Sequence, residues 1–221
     1  MNSILSLKNV TKRYRRGSEE VHALDGVSLD VMQGDYIAIC GPSGSGKTTL
    51  LNIAGCMDHP TDGVVLINGQ AVEHGGERCL ARLRQSVIGF VFQQFFLVPT
   101  LNVRENVELP LLFSHRTADP ARTAEILDCV GLGKRVNHLP GQLSGGEMQR
   151  VAVARSMINE PKVILADEPT GNLDSRNAAA VIELFESLNK RGIAIVMVTH
   201  NPDLARRCGK VVHLEDGKVV S

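Results

Sequence analysis

The sequence predicts an α/β fold with a mainly parallel sheet, an antiparallel β subdomain and an inserted helical subdomain. Three observations carry this. Four apolar runs are nearly continuous rather than alternating, which is the pattern of parallel strands buried on both faces. Segments near the start of the chain alternate and carry turn signals, the pattern of antiparallel strands. Between about 95 and 160 strand patterns give way to helical ones, so helices are inserted between core strands.

In chain order, residues 4–14 and 23–31 alternate, and the short basic cluster Lys12-Arg13-Tyr14-Arg15-Arg16 reads as a solvated strand end. Tyr36-Ile37-Ala38-Ile39-Cys40 is the first buried strand, and Thr49-Leu50-Leu51-Asn52-Ile53-Ala54 the first helix. Residues 64–67 alternate again, with Asp62-Gly63 and Asn68-Gly69 as turn signals. Further buried strands are expected at Val87 to Phe92, Val163-Ile164-Leu165-Ala166 and Ile193 to Val198, and Lys210 to Val220 reads as a hairpin around Asp216-Gly217. The expected division is one domain, with core and β subdomain over about 1–94 and 160–221 and the helical subdomain over about 95–159.

At 221 residues the chain can bury a substantial core. Lys+Arg and Asp+Glu balance at 24 each, so no global field draws it to nucleic acid or anionic lipid. No stretch approaches the ~20 apolar residues of a membrane span; the most apolar run, Gly192 to Val198, has strand length. The first residues lack a basic flank followed by an apolar block, so no signal peptide is expected. The five cysteines (Cys40, Cys56, Cys79, Cys129 and Cys208) are odd in number and form no C-x-x-C pair, which argues against a disulfide framework or zinc site and suits a reducing cytosol. They read as small buried hydrophobes.

The residues just past each buried strand point to chemistry. The first strand ends in a Gly-rich loop, the second in Gln93, the third in Asp167-Glu168 and the fourth in Thr199-His200. Ligands of open α/β sheets sit beyond the carboxyl ends of the strands, so these groups are expected to converge on one site. Gly41-Pro42-Ser43-Gly44-Ser45-Gly46-Lys47-Thr48 matches G-x-x-x-x-G-K-[ST] between a strand and a helix that starts at Thr49. Its glycines let successive N–H groups point inward as a nest for phosphate oxygens, and the helix adds its N-terminal partial charge. This is the core of a P-loop NTPase: Lys47 would bridge the β- and γ-phosphates and the Thr48 hydroxyl would ligate Mg²⁺. Asp167 should hold Mg²⁺ directly or through water, and Glu168 is the candidate to deprotonate the attacking water.

Leu143-Ser144-Gly145-Gly146-Glu147, with Gln149-Arg150 close behind, narrows the class. Ser144-x-x-Glu147 is a capping box that starts a helix whose apolar positions (Met148, Val151, Ala152, Met157, Ile158) suit one buried face. The same capped N-terminus, preceded by an exposed Ser and two glycines, is a second anion site. The motif and its order between phosphate loop and acids resemble the ABC ATPases over practically the whole chain. The resemblance implies head-to-tail pairing with a second copy, each signature helix closing on ATP held by the other. It further implies that Tyr14 stacks on adenine, that Gln93 touches Mg²⁺ and water and senses the membrane partner, with Gln94 a one-residue alternative, that Asp174 is the D-loop aspartate, and that His200 contacts the γ-phosphate.

Gly89-Phe90-Val91-Phe92-Gln93, Leu97-Val98-Pro99-Thr100-Leu101, Glu105 to Leu111 and Ala166 to Asp174 resemble the branch of lipoprotein-release, macrolide-export and antimicrobial-peptide-resistance ATPases. That resemblance implies ATP and Mg²⁺ as cofactors, a separate membrane permease subunit as partner, no nucleic acid, and a place at the cytoplasmic face of the inner membrane. Export, lipoprotein release or mechanotransmission would be the work done. The alternative is an ATP-driven regulatory cassette of a membrane or cell-wall complex that moves no substrate. Glu147 stands where Gln is common in the family. The signature and neutral charge argue against a kinase or nucleic-acid motor, and the absence of sustained heptads between Lys47 and Ser144 rejects a chromosome- or repair-type ABC ATPase. Gln93 to Phe113, with Phe95, Phe96 and Leu97, is the expected docking region for the membrane partner.

Overall fold

The buried runs form the centre of the molecule, in a computed structural model that describes residues 3–17, 19–72, 76–114 and 116–220. β3 (Tyr36–Cys40) coincides with the first run, β7 (Val163–Asp167) extends one residue past the third, and β6 (Ile88–Phe92) and β8 (Ala194–Val198) begin one residue inside theirs. With β9 (Lys210–Glu215) and β10 (Lys218–Val219) they make a six-stranded sheet of order β10-β9-β3-β8-β7-β6. All neighbours are parallel except the β9–β10 hairpin. The C-terminal hairpin turns at Asp216 and Gly217, both at positive φ, as expected. Its first strand, however, pairs parallel with β3 and so belongs to the core sheet.

β1 (Leu5–Arg16), β2 (Glu19–Val31), β4 (Asp62–Ile67) and β5 (Gln70–Ala71) form the antiparallel sheet, in the order β2-β1-β4-β5. Asn68 and Gly69, both at positive φ, turn the chain between β4 and β5. Asp62-Gly63 is not a turn. It opens β4 where β1 carries a bulge at Asn9, whose φ is 49°. Gly63 is required there because a Cβ would overlap the Asn9 carbonyl. The basic cluster ends β1 as a paired surface: Lys12 bonds Asp58 at 2.7 Å and Arg13 faces Glu20 and Asp62.

The helices are α1 (Lys47–Ala54), α2 (Gly76–Ser86), α3 (Val103–Phe113), α4 (Pro120–Cys129), α5 (Gly145–Met157), α6 (Ser175–Lys190) and the short α7 (Pro202–Ala205). α3, α4 and α5 succeed one another between β6 and β7, whereas α2 precedes β6 and has no counterpart in the sequence reading. The strand residues alternate between two apolar cores. Val163, Leu165, Val196 and Val198 face α1 and the antiparallel sheet, while Ile164, Ala166, Ile195 and Met197 face α3 to α6. Both faces are apolar, which is why the runs read as continuous.

The single buried face expected of the signature helix is corrected here. Val151, Ala152, Val153 and Ala154 are all buried, because small side chains let α3, α6 and β6 approach α5 from several sides. The cysteine expectation holds fully for Cys56 and only in part for Cys40, Cys129 and Cys208, which are half-buried; the Cys79 side chain lies outside the described residues. Among the described residues no helix is long and apolar enough to cross a membrane.

Beyond β6 the chain runs through an irregular loop held by Asn106, which is fully buried in α3. Its side chain accepts from Val98 N at 2.8 Å and donates to the carbonyls of Val98, Leu101 and Asn102. Asn106→Leu keeps the branched shape but leaves Val98 N and Leu101 O without the partner Asn106 supplies, while the carbonyls of Val98 and Asn102 keep backbone donors, so it should lower unfolding free energy by about 2–3 kcal/mol. A shift of the urea midpoint at unchanged slope is the measurement, and an unshifted midpoint contradicts it.

Candidate functional site

Register levels the strand ends. Ile39 and Asp167 both pair with Val198, and Phe92 pairs with Asp167, so the residues beyond them leave the sheet along one edge. A cavity of about 500 Å³ opens there, lined by phosphate-loop residues from Gly41 to Thr49 together with Glu168, Val198 and His200. Three of the four strand ends therefore meet as expected. Gln93, just past the outermost strand, is not among the lining residues.

Gly46 caps α1 at φ 100° with no side-chain cap, leaving the first helical N–H groups to a ligand. Buried Lys47 donates to the carbonyls of Gly41 at 2.9 Å and Pro42 at 2.7 Å. The loop is wedged between two elements. A Cβ on Gly46 would overlap the Ala23 carbonyl on β2, and one on Gly41 would overlap the Leu214 carbonyl on β9. Gly217 then donates to Ser45 O at 3.1 Å and accepts from Asp25 N at 2.8 Å, tying loop, hairpin and β2 together.

The Thr48 hydroxyl donates to Asp167 Oδ2 at 3.1 Å. Burial pushes the Asp167 carboxyl above its ordinary range; the Thr48 bond opposes this, the Glu168 charge adds to it and Lys47 opposes it. A hydroxyl and a carboxylate in contact are hard oxygen donors that suit Mg²⁺. No group of three or more His, Cys, Asp or Glu among the described residues could hold a metal alone, so phosphate and water oxygens would complete the shell. Glu168 sits at φ 44° immediately before Pro169, a conformation costing about 1–3 kcal/mol for a non-glycine residue. Its N–H donates to Val198 O at 3.0 Å, its carbonyl accepts from Gly171 N, and its Oε2 lies 2.8 Å from His200 Nδ1. A carboxylate facing Nδ1 places the ring proton on that nitrogen.

The remaining candidate residues stand around this pocket or apart from it. Gln93 Nε2 lies 3.3 Å from Asn172 Oδ1, while Asn172 Nδ2 donates to Gln93 O at 3.1 Å, so its side chain is engaged beside Gly171 rather than on the Thr48–Asp167 pair. Gln94 is exposed. Tyr14 lies outside the cavity lining; its hydroxyl donates to Asp58 Oδ2 at 2.7 Å and Lys12 stands 4.9 Å from its ring centroid. Asp174 caps α6, accepting from Asn177 N and Nδ2, and the first of these bonds chiefly holds its carboxyl below the usual range.

Ser144 caps α5 with the reciprocal box formed by Glu147. The backbone N–H of Ser144 foremost, then its hydroxyl, hold Glu147 below its usual range despite a small burial penalty, and Arg135 joins it at 3.0 Å. Leu143 is buried, and Gly145 and Gly146 pack against Leu173 and Asn177, where a Cβ on Gly146 would overlap the Asn177 side chain. None of residues 143–147 lines the cavity.

The family model described as ABC transporter matches residues 24–171. The chain belongs to that family, as an ATP-binding subunit. Similar proteins include an uncharacterized ABC transporter ATP-binding protein of Thermotoga maritima, 48% identical over 99% of this chain and 94% of the relative. A macrolide export ATP-binding/permease protein MacB of Hyphomonas neptunium is 46% identical over 99% of this chain but only 34% of the relative. The dimeric structure of MJ0796, an ABC transporter cassette whose sequence belongs to Methanocaldococcus jannaschii, superposes at TM-score 0.90 and 45% identity, over 98% of this chain and 97% of that one. A second structure of that cassette is a post-hydrolysis state with ADP and Pi. This chain is an ABC-type ATPase.

Sequence reasoning missed Val21, His22 and Ala23, which line the cavity from β2. The alternating segment expected at 23–31 takes in only Ala23, and β2 begins earlier, at Glu19; what brings these residues to the site is the Cβ-free contact of Gly46 with Ala23, a tertiary fact.

Because Asp167 titrates above an ordinary carboxyl, it binds protons more readily folded than unfolded. Its charge therefore costs stability at neutral pH, and that cost fades on acidification toward the unfolded value. Asp167→Asn should raise the nucleotide-free melting temperature at neutral pH, with the gain shrinking as pH falls toward the carboxylate range. A gain that is absent, or that grows on acidification, contradicts this.

Proposed function

We propose that this subunit is one half of a head-to-tail dimer that hydrolyses ATP and drives a separate membrane subunit. The observation that carries it is the separation of two anion sites: the capped start of α5 lies outside the chain's own nucleotide cavity. One chain has no use for two γ-phosphate sites. The dimeric MJ0796 cassette supports pairing, and its ADP and Pi state supports turnover at such a site.

In this reading Lys47 and the N–H groups of the loop from Ser43 to Thr49 hold the phosphates. Thr48 and Asp167 would hold Mg²⁺, which would supply charge neutralisation to the phosphates. Tyr14 lies under the adenine; Asp58 and Lys12 fix its ring. Glu168 takes a proton from water as the water oxygen bonds to the γ-phosphorus, and the bond to the ADP oxygen breaks with its electron pair on ADP. His200, held by Glu168 in this structure, turns to the γ-phosphate; Gln93 and Asp174 report on the membrane subunit and on the second copy.

The work is export, lipoprotein release or mechanotransmission, supported by the macrolide-export name of the MacB relatives. Phe96, Leu112 and Phe113 are among the most exposed large apolar side chains, at 60%, 70% and 67%. Phe113 rims a cavity of about 280 Å³ floored by Phe90 and Phe92. This apolar edge, in the first part of the about 95–159 helical subdomain, is where the membrane subunit docks and keeps the cassette at the cytoplasmic face.

Glu168→Gln should retain ATP binding, accumulate as an ATP-bound dimer on gel filtration, and lose turnover by roughly 10²–10⁴-fold. Adding Ser144→Arg should return it to monomer; a dimer from the double variant would overturn the head-to-tail geometry. Lys47→Ala should abolish binding of a fluorescent ATP analogue, and an unchanged titration would remove Lys47 from the phosphate site.

A further inference from the structure

Gln149 has no place in the chemistry above, yet its side chain is fully buried within α5. Its Nε2 donates to Pro169 O at 2.6 Å and to Phe92 O at 3.3 Å. Two carbonyl oxygens require donors, so the amide orientation is fixed by its partners. Oε1 is buried with no hydrogen-bond partner among the described residues. An amide kept in the core with one atom unsatisfied is a poor way to fill space, since Leu or Met would pack the same volume. Its use lies in the two bonds.

Both acceptors stand next to residues of the proposed hydrolytic site. Phe92 precedes Gln93, and Pro169 comes directly after Glu168. The β6–β7 ladder ends at the Phe92–Asp167 pair, and past that point the Gln149 amide bridges the two segments. Glu168 sits at positive φ before a proline, so its turn holds its shape through the bonds around it: Val198 O to its N–H, Gly171 N to its carbonyl, and Gln149 to Pro169. Gln149 stands in the second turn of α5, five residues after the Ser144 cap, so the three parts are joined through one amide.

We infer that Gln149 is a positioning residue for ATP hydrolysis: from the signature helix it holds the backbone at Phe92 and Pro169 and so aims Glu168 and Gln93. The inference rests on the hydrolytic role proposed for Glu168. Without the amide the Pro169 and Phe92 carbonyls are orphaned in the interior, and the Glu168 turn relaxes away from its aligned geometry. Neither bond of the Gln149 amide reaches the phosphate loop, so nucleotide affinity is left alone.

The test is steady-state ATPase kinetics of full-length Gln149→Leu and Gln149→Glu beside wild type and Glu168→Gln. Gln149→Leu should lose about 10- to 100-fold in kcat while KM for ATP moves by no more than about twofold. Gln149→Glu carries the sharper readout. Its ionised carboxylate faces two carbonyl oxygens, whereas its protonated form donates one O–H to Pro169 O. Its activity relative to wild type should therefore rise on going from about pH 8 to about pH 6, while that of Gln149→Leu stays flat. Wild-type kcat in Gln149→Leu, or a flat ratio in Gln149→Glu, overturns the inference; if Gln149→Leu fails to fold, the Gln149→Glu ratio decides. Normal turnover by Glu168→Gln would overturn the hydrolytic role itself. An inactive Glu168→Gln beside wild-type Gln149 variants removes Gln149 alone.

Discussion

The register of the parallel strands is the constraint on which the site depends. Ile39, Val198, Asp167 and Phe92 stand level across four strands, so every chain leaves the sheet at the same height. Because side chains alternate with period two, a slip of one residue in β7 would exchange Leu165 and Ala166 between cores and turn Asp167 away from Thr48. Both faces of β7 and β8 are buried, so such a slip gains nothing in burial and loses packing on both sides. The apolar core thus fixes to within a residue where the polar groups emerge.

A second constraint acts at right angles to the first. The phosphate loop lies between β2 and the C-terminal hairpin, and Gly41 and Gly46 are where backbone meets backbone. The antiparallel sheet is therefore one wall of the cavity at the phosphate loop rather than an appendage, and Ala23 contributes through its carbonyl. Gly217 closes the arrangement by bonding both Ser45 and Asp25. The glycines serve the loop's curvature and its close packing together.

Much of this was legible because the signals were local. The buried strands declare themselves by continuous apolar runs, and the Asn68-Gly69 and Asp216-Gly217 turns by residues that tolerate positive φ. Asp62-Gly63 shows the limit: the same residue types meet a steric demand set by Asn9, far away in sequence. The burial of Val151 to Ala154 on several sides of α5, the entry of β9 into the core sheet and the approach of Val21 to Ala23 likewise depend on partners distant in the chain. Gln149 was visible only as part of a motif. Its bonds to Phe92 and Pro169 join segments that no periodicity relates.

Glu147 raises a last physical question, since an acid at a helix start opposes an incoming phosphate. A glutamate is charged at neutral pH, and hydrogen bonds from Ser144 lower its carboxyl further below the usual range. The charge is spent within the cap: Oε2 takes both the Ser144 N–H and the Ser144 hydroxyl, and Oε1 meets Arg135 at 3.0 Å. Arg135 balances the carboxylate, and among the described residues the N–H groups of Gly145 and Gly146 have no hydrogen-bond acceptor. In the proposed dimer the second copy's nucleotide would meet a charge-balanced helix start with its dipole intact. The Glu147 carboxylate therefore enters the cap with its charge shared between the Ser144 donors and the Arg135 guanidinium.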